Sequence, residues 1–270
     1  MIRDSIKKHY LGLNKEFRFR GEEPGRLENF SDAVFALAIT LLLISTSPPT
    51  NFEQIKRFVW DIIPFCLCIT LILLIWHEHF IFYFRYGIRS GKVVALNTLF
   101  LVIVLFYVYP LKFLTKLILF PIGYLFNQDS LLIELKGMIS GQDVGELMII
   151  YGLGATGVFF VLTLMYKYAL KNADQLNLNE IERFDTRTSM RTNLLMGTVP
   201  LLSVVLAIIF RNTWQAGMIS GFTYLLYTPI MFIHGKRTDK GRKKLLEEMR
   251  ASEKISLSSS SELTDQSVSS

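Results

Sequence analysis

Six apolar segments constrain this chain more than any other feature, because each is about long enough to cross a lipid bilayer. The hydrocarbon core of a bilayer is about 30 Å thick, and a helix that rises about 1.5 Å per residue spans it in about 20 residues. With 51% hydrophobic and only 19% charged residues, the composition is too apolar for an ordinary soluble domain. We therefore expect an all-α integral membrane protein with six transmembrane helices. The segments run approximately over Phe30–Ser47, Phe58–Phe84, Val93–Phe113, Leu147–Leu170, Met190–Phe210 and Trp214–His234.

Basic residues gather at every second connection between these segments. Connections rich in Lys and Arg stay in the cytoplasm, so the pattern predicts that both termini are cytoplasmic. The four clusters comprise Arg3, Lys7, Lys8, Lys15, Arg18, Arg20 and Arg26; Arg85, Arg89 and Lys92; Lys167, Lys171, Arg183, Arg187 and Arg191; and Lys236, Arg237, Lys240, Arg242, Lys243 and Lys244.

The same pattern divides the chain into three parts. Residues 1–25 are predicted to be a basic cytoplasmic arm, residues 26–235 a six-span transmembrane domain, and residues 236–270 a cytoplasmic tail. This tail is first basic and then serine-rich, with too few large apolar residues to bury a core, so we expect it to be disordered. In the arm, the spacing of Ile2, Ile6 and Tyr10 fits an amphipathic helix on the inner leaflet, and a disordered arm fits equally well.

The first apolar segment has a polar start, in the stretch RLENFSDAVFALAITLLLIS at residues 26–45. A short apolar core after basic residues is also typical of a signal peptide. However, the STSPPTNFEQ that follows offers no small-x-small cleavage site, so we expect the segment to be retained.

Asp32 lies within this first helix and needs a polar partner if it is buried near hydrocarbon. The first segment leaves the cytoplasm and the second returns to it, so Asp32 and the end of the second segment share one depth. Trp76 and His77 lie there, and their N–H groups are suitable donors. The alternative is that Asp32 caps the start of the helix. We favour the buried network, because Asp32 follows Phe30 within the helix.

The remaining sequence features exclude several kinds of chemistry. Cys66 and Cys68, like His77 and His79, are two residues apart and diverge on a helix, which disfavours a disulfide and a metal site. The sequence has no P-loop, no dinucleotide fingerprint and no TVGYG-like carbonyl filter. The net charge of +6 is distributed in short membrane-flanking clusters, which disfavours nucleic-acid binding. We expect neither an enzyme nor a cofactor.

The first helix carries a stripe of side chains with heptad-like spacing. At about 100° per residue, the members of the stripe lie within about 60° of one direction, whereas Ser31 and Asp32 point about 120° or more away from Leu37. On the residues alone, such a stripe faces lipid, a packing partner or a pore. Its members are Phe30, Leu37, Thr40, Leu41 and Ile44.

Specific motifs in this region resemble those of a known family. Arg26, Phe30, Ser31 and Asp32 spell RxxxFSD ahead of AVFALAITLLLI, which resembles the signature first helix of the transmembrane protein 175 family of potassium channels. The stretch IWHEHFIF at residues 75–82 is similar to the end of that family's second helix. Asn97 also opens the third segment as it often does in family members.

The resemblance implies a multi-pass, potassium-selective channel of the plasma membrane, without a P-loop filter. Four identical subunits are implied by the single RxxxFSD, with first helices that line a central pore and with potassium as the permeant ion. Carried over to this sequence, Leu37 narrows the pore, Thr40 is the filter threonine, Ile44 forms the next apolar layer, and Leu41 lies on the same stripe.

Two alternatives from other classes remain open at this stage. A secondary transporter would use Asp32 and His77 as a proton relay, although the expected inverted repeats and Gly/Pro-broken helices are missing. A membrane scaffold would conduct nothing at all.

Overall fold

The structure is a computed structural model that describes residues 17–44, 50–52, 54–55, 59, 62–118, 143–211 and 216–268. Within these ranges, the regular secondary structure is entirely helical. The helices are α1 (Arg26–Ile44), α2 (Ile62–Tyr86), α3 (Gly91–Ile118), α4 (Asp143–Lys171), α5 (Glu180–Ile209), α6 (Ala216–Phe222), a 3₁₀ turn (Thr223–Leu226) and α7 (Tyr227–Val268).

Five stretches of helix in the described residues are long and apolar enough to cross a membrane. They are α2, the first part of α3, α4, α5 and the run from Ala216 to Ser252, and they correspond to the second through sixth predicted segments. The 19 residues of α1 are not among these five stretches, and they include Arg26, Glu28 and Asp32 in the first two turns.

Local sequence signals explain where two of the helices end or begin. Gly87 adopts a left-handed conformation with φ of +57° and donates its N–H to the carbonyl of Tyr83 at 2.8 Å, which ends α2. At the start of α5, Asn179 and Glu182 form a capping box. The Asn179 side chain accepts from the Glu182 N–H at 2.8 Å, and the Glu182 carboxylate accepts from the Asn179 N–H at 3.0 Å.

The last predicted segment is interrupted, whereas the sequence analysis treated it as one continuous span. Proline at position 229 is the third residue of α7, and its ring is incompatible with a regular helical turn before it. The 3₁₀ turn Thr223–Leu226 occupies that place. This proline was the sequence signal for the break.

The structure also differs from the expectations for the two ends of the chain. Helix α7 continues through the serine-rich segment to Val268, where the sequence predicted disorder. The prediction rested on burial, but helical hydrogen bonds are local and do not require a buried core. Residues 17–25 are packed against the bundle rather than peripheral, whereas Ile2, Ile6 and Tyr10 lie outside the described residues.

The helices alternate in direction, so that one end of the bundle collects the starts of α1, α3 and α5 and the ends of α2 and α4. We call this the polar end. Its contacts include Trp76 to Asp32, Asn97 to Ser31 and Arg85 to Ser189. At the opposite end, Cys68 near the start of α2 lies 3.2 Å from the hydroxyl of Thr115 near the end of α3.

Glycines bring α4 close to its neighbours. A Cβ atom at Gly152 would lie 2.5 Å from Val204 on α5, and a Cβ atom at Gly154 would lie 2.5 Å from the ring of Tyr107 on α3. Close approach at small residues is a usual way in which membrane helices gain packing contacts. A core of buried aromatic and aliphatic side chains joins the four helices α1, α2, α3 and α4, and it includes Phe82, Phe100 and Leu162.

Candidate functional site

One face of α1 is packed against the rest of its own chain. Ser31, Ala38 and Leu42 are 0% exposed and Phe35 is 3% exposed, and their spacing of four, three and four residues places them on one side of the helix. The Phe35 ring lies 6.1 Å from Phe100 on α3. This face therefore belongs to the core of the subunit.

The predicted stripe lies on the other side of α1 and is uncovered in the single chain. Phe30 is 61%, Leu37 51% and Leu41 40% exposed, and Thr40 is also exposed. The Thr40 hydroxyl donates to the carbonyl of Ala36 at 2.9 Å. The side chain of Ile44 lies outside the described residues. The stripe is therefore not a packing face within its own subunit, which leaves lipid, another subunit or a pore.

A buried hydrogen-bond network ties the start of α1 to α2 and α3. Asn97 Nδ2 donates to Ser31 Oγ at 2.9 Å, and Ser31 Oγ donates to the carbonyl of Leu27 at 2.8 Å. His79 Nε2 lies 2.6 Å from Asn97 Oδ1. Because that oxygen can only accept, His79 carries its proton on Nε2. Ser31, Asn97 and His79 are at most 1% exposed, so the network is dry and connects three helices.

Asp32 contacts Trp76, as the topology predicted. Trp76 Nε1 donates to Asp32 Oδ1 at 2.8 Å. The capping alternative is wrong, because α1 begins at Arg26 and Asp32 lies in its second turn. The expected burial is not found within the single chain either. Asp32 is exposed and lines a cleft of about 190 Å³ beside Trp76 and Phe80.

His79 takes part in the hydrogen-bond network at the start of α1, whereas the sequence predicted His77 there. His77 is only partly buried, and it makes no hydrogen bond with the described residues. The helical angle was the available signal. At about 100° per residue, His79 lies about 60° from Trp76 and faces α1 with it, but His77 lies about 100° away on the other side. Asn97 was noted only as a family resemblance, and its role as the central donor was missed.

The other motif residues have simpler surroundings. Arg26 is exposed at the first position of α1 and forms no ion pair with a described residue. Phe30 lies on the uncovered face of the helix. Among the described side chains, no three His, Cys, Asp or Glu residues come together in a way that could hold a metal ion.

Comparisons with known proteins identify the family of this chain. Residues 26–107 match the family described as "Endosomal/lysosomal potassium channel TMEM175". A protein of Marivirga tractuosa named "Potassium channel" is 44% identical over 243 residues, which are 88% of this chain and 97% of the relative.

A solved structure is similar as well. It is the crystal structure of a threonine-to-alanine variant of the potassium channel MtTMEM175, in complex with a nanobody–MBP fusion protein. The TM-score is 0.77 at 44% identity, and the match covers 84% of this chain and 99% of the other. The chain belongs to the TMEM175 family of potassium channels.

Proposed function

We propose that four copies of this chain form a potassium-selective pore lined by α1, with Leu37 at its narrowest part. Thr40, Leu41 and Ile44 line the pore beyond this constriction. The supporting observation is the contrast between the two sides of α1. Leu37 is 51% exposed, although Leu42, five residues further along the same helix, is 0% exposed.

The exposed side of α1 favours assembly around a pore over simple contact with lipid. It combines the large apolar residues Leu37 and Leu41 with the polar Thr40 in one stripe. A hydroxyl in contact with hydrocarbon contributes little, because its remaining lone pair finds no donor there. In a pore, the same oxygen faces water and cations. One helix from each subunit would then present these residues as successive rings.

Such rings control conduction through dehydration. An apolar constriction excludes water, so a cation that passes through it loses hydration that no carbonyl replaces. Sodium holds its water more tightly than potassium, and the dehydration barrier is therefore higher for sodium. The Thr40 hydroxyl supplies an oxygen next to the constriction. No P-loop filter takes part.

The orientation of the chain follows from its charges. The polar end carries the basic clusters, and by the positive-inside rule this supports a cytoplasmic location for that end and for both termini. We expect six spans in the plasma membrane. The 19 residues of α1 extend about 28 Å, close to the thickness of the hydrocarbon core. Arg26 would then lie at the cytoplasmic boundary, with Asp32 about 9 Å further along the helix.

A potassium channel moves ions without covalent chemistry, and the chain is not an enzyme. In this proposal, its partners are three further copies of itself, the lipid bilayer and potassium ions, with no cofactor and no nucleic acid. The proton relay of a transporter finds no support in the site, because Asp32 bonds to the indole of Trp76 rather than to His77. An indole N–H does not titrate in the physiological range.

Two measurements test the proposed assembly. The mass of purified protein in mild detergent should correspond to a tetramer, and planar bilayers should show single-channel steps whose reversal potential follows the potassium gradient. Monomers or dimers that still conduct would contradict a central pore formed by four α1 helices. Leu42→Asn is the matched control for any substitution on the stripe, because it changes the same residue type on the covered side.

A further inference from the structure

Residues 17–25, which we call the strap, run across the polar end and lead directly into α1. The strap forms two backbone hydrogen bonds with the end of α2. Arg20 donates its N–H to the carbonyl of Arg85 at 3.3 Å, and Gly21 donates to the carbonyl of Phe84 at 3.1 Å. These carbonyls have no partner within α2, since they belong to its last turn. The strap therefore completes the hydrogen bonding of that helix end.

Aromatic side chains of the strap pack against the core of the subunit. Phe17 is 2% exposed, and its ring packs edge-on against Tyr86 with 5.8 Å between centroids. The guanidinium of Arg85 lies 5.1 Å from the centre of the Phe17 ring. Phe19 packs against Phe84 at 4.7 Å. Phe17 is thus buried as a core residue, and Phe19 packs partly buried against the same core.

Glu182 on α5 binds the strap through two arginines. Its side chain is 0% exposed, and its Oε2 atom lies 3.2 Å from Arg18 Nη2 and 2.9 Å from Arg20 Nη2. Oε1 also accepts from the backbone N–H of Arg18 at 2.8 Å. Both guanidinium groups donate in addition to the carbonyl of Asn177. The Glu182 side chain of α5 and the Asn177 carbonyl in the turn before α5 therefore hold the strap.

The carboxylate of Glu182 stays charged in this arrangement. Glu182 lies ahead of the predicted fifth span, on the cytoplasmic side. Burial would raise its pKa, but the hydrogen bonds from Arg20 and Arg18 outweigh that effect, and the pKa falls to about 2. A buried carboxylate whose partners are removed is strongly unfavourable. The contact is consequently closed throughout the physiological pH range.

The connection between this contact and α1 is short and tight. Only five residues follow Arg20 before α1 begins, and each extended residue spans at most about 3.5 Å. Gly21 has no room for a side chain, because a Cβ atom there would overlap the carbonyl oxygen of Tyr83. A Cβ atom at Gly25 would lie 2.8 Å from Arg89 Nε, so the Arg89 side chain would have to shift. We therefore expect a shift of the strap to be transmitted to the first turn of α1.

We propose that Glu182 is a positioning residue for conduction, which holds the strap and thereby keeps the cytoplasmic ends of the pore-lining α1 helices apart. Glu182 has this effect only if α1 lines the pore, as proposed above. Apolar side chains around a narrow pore attract one another, because their contact removes apolar surface from water. This attraction would draw the four α1 helices together and close the pore. The strap opposes that closure and favours the open channel.

Single-channel recording of the full-length protein in planar bilayers tests this role. Glu182→Gln keeps an oxygen acceptor for the capping box but removes the charge that holds Arg18 and Arg20. We expect the open probability to fall about tenfold, which corresponds to about 1.4 kcal/mol. The current through an open channel and the potassium-to-sodium permeability ratio should not change, because Glu182 does not lie on the stripe.

A comparison of single and double substitutions at Glu182 and Arg20 distinguishes a positioning role from a general loss of stability. Arg20→Gln should lower the open probability by less than Glu182→Gln, because Arg18 still binds the carboxylate, and the double variant should fall no further than Glu182→Gln alone, since Glu182→Gln already removes the shared charge. If Glu182→Gln does not assemble, Arg18→Gln provides the same test on the more exposed arginine, with an expected fall of about threefold, or about 0.65 kcal/mol.

Asp185→Asn is the matched control. Asp185 lies one turn further along α5, its side chain is 5% exposed, and it accepts from Arg242 Nε on α7 at 3.0 Å rather than from the strap. This variant should lower thermal stability without a change in open probability. An open probability that is unchanged or raised in the assembled Glu182 or Arg18 variants would overturn the role of the strap, as would an equal fall in Asp185→Asn.

A separate measurement distinguishes this failure from a failure of the pore assignment. Leu37→Asn changes the permeability ratio only if α1 lines the pore. If Leu37→Asn changes the permeability ratio while the strap variants behave as wild type, the strap has only a structural role and the assignment of the pore to α1 is retained. If the strap variants alter gating but Leu37→Asn has no effect on permeation, the pore assignment fails, and with it the explanation through α1.

Discussion

The two sides of α1 differ in their surroundings rather than in residue size. The covered side carries Ser31 and Ala38 where the neighbouring helices approach, and both are fully buried. The uncovered side carries Phe30 and Leu37, which are more than half exposed. Large apolar residues occur on both sides, since Leu42 is fully buried on the covered side. The contrast shows that apolar character alone does not reveal what a membrane helix faces.

The largest effect, a loss of stability, is expected for a substitution that disturbs the covered side of α1. Asn97→Leu has a similar volume but leaves Ser31 and His79 without their shared partner in a dry site. Each unsatisfied buried group costs about 1–3 kcal/mol, so we expect a loss of about 3 kcal/mol. The melting temperature and the yield of assembled protein in detergent should both fall. Wild-type values for both would mean that the network does not hold α1 in place.

The second-largest effect, a change in ion permeation, is expected for a substitution of Leu37 on the uncovered side of α1. Leu37→Asn supplies polar groups to a constriction that excludes water, which lowers the dehydration barrier for every cation. Current should rise, and the potassium-to-sodium permeability ratio should fall about fivefold if the two barriers become more similar by about 1 kcal/mol. Reversal potentials in mixed potassium and sodium solutions measure this ratio.

Leu42→Asn sharpens this test, because it introduces the same amide on the fully buried side of α1. It should reduce the amount of assembled protein and leave the permeability ratio of the remaining channels unchanged. If well-assembled Leu37→Asn protein has normal conductance and a normal reversal potential, the stripe is a packing face and the pore lies elsewhere.

Asp32 lies between the two sides, and its substitution should have an intermediate effect. Asp32→Ala removes the acceptor for Trp76, which costs about 0.5–1.5 kcal/mol because the bond is exposed to solvent in the single chain. We expect less assembled protein and an unchanged ion preference. Trp76→Phe, which removes the same bond from the other partner, should act alike. Normal assembly together with a lost preference for potassium would assign Asp32 to the permeation path instead.

The smallest effect is expected at His77. It is partly exposed and makes no hydrogen bond with the described residues, so His77→Gln should change stability by less than about 0.5 kcal/mol. His79→Gln should cost considerably more, since His79 is 1% exposed, contacts Asn97 and stacks on Phe100 at 5.1 Å. Melting temperatures of the two variants provide a direct comparison. Equal shifts would place both histidines in comparable surroundings.

Patterns along a single segment were sufficient to predict much of the architecture. Apolar length predicted the five strongly hydrophobic helices, and topology predicted that Asp32 meets Trp76. Both inferences require only helical geometry and the order of the segments. The stripe on α1 was also predictable as a set of residues, although its exposure required the structure.

Features that depend on distant parts of the chain were not predictable in the same way. The contact between Arg18 and Glu182 joins residues that are 164 positions apart, and neither residue shows a local signal for the other. In the sequence, Arg18 and Arg20 are simply part of a basic cluster. The choice of His79 over His77 depended on how α2 is rotated against α1, which is decided by packing with α3.

The network at the start of α1 also has a consequence for biosynthesis. A ribosome makes the chain from its N-terminus, so Ser31 and Asp32 enter the translocon before Trp76 and Asn97 exist. Until then, α1 is a short helix with charged residues and without the donors that it uses in the finished protein. Its final placement must therefore wait for the first half of α3. The first three helices are consequently expected to settle in the membrane as one unit.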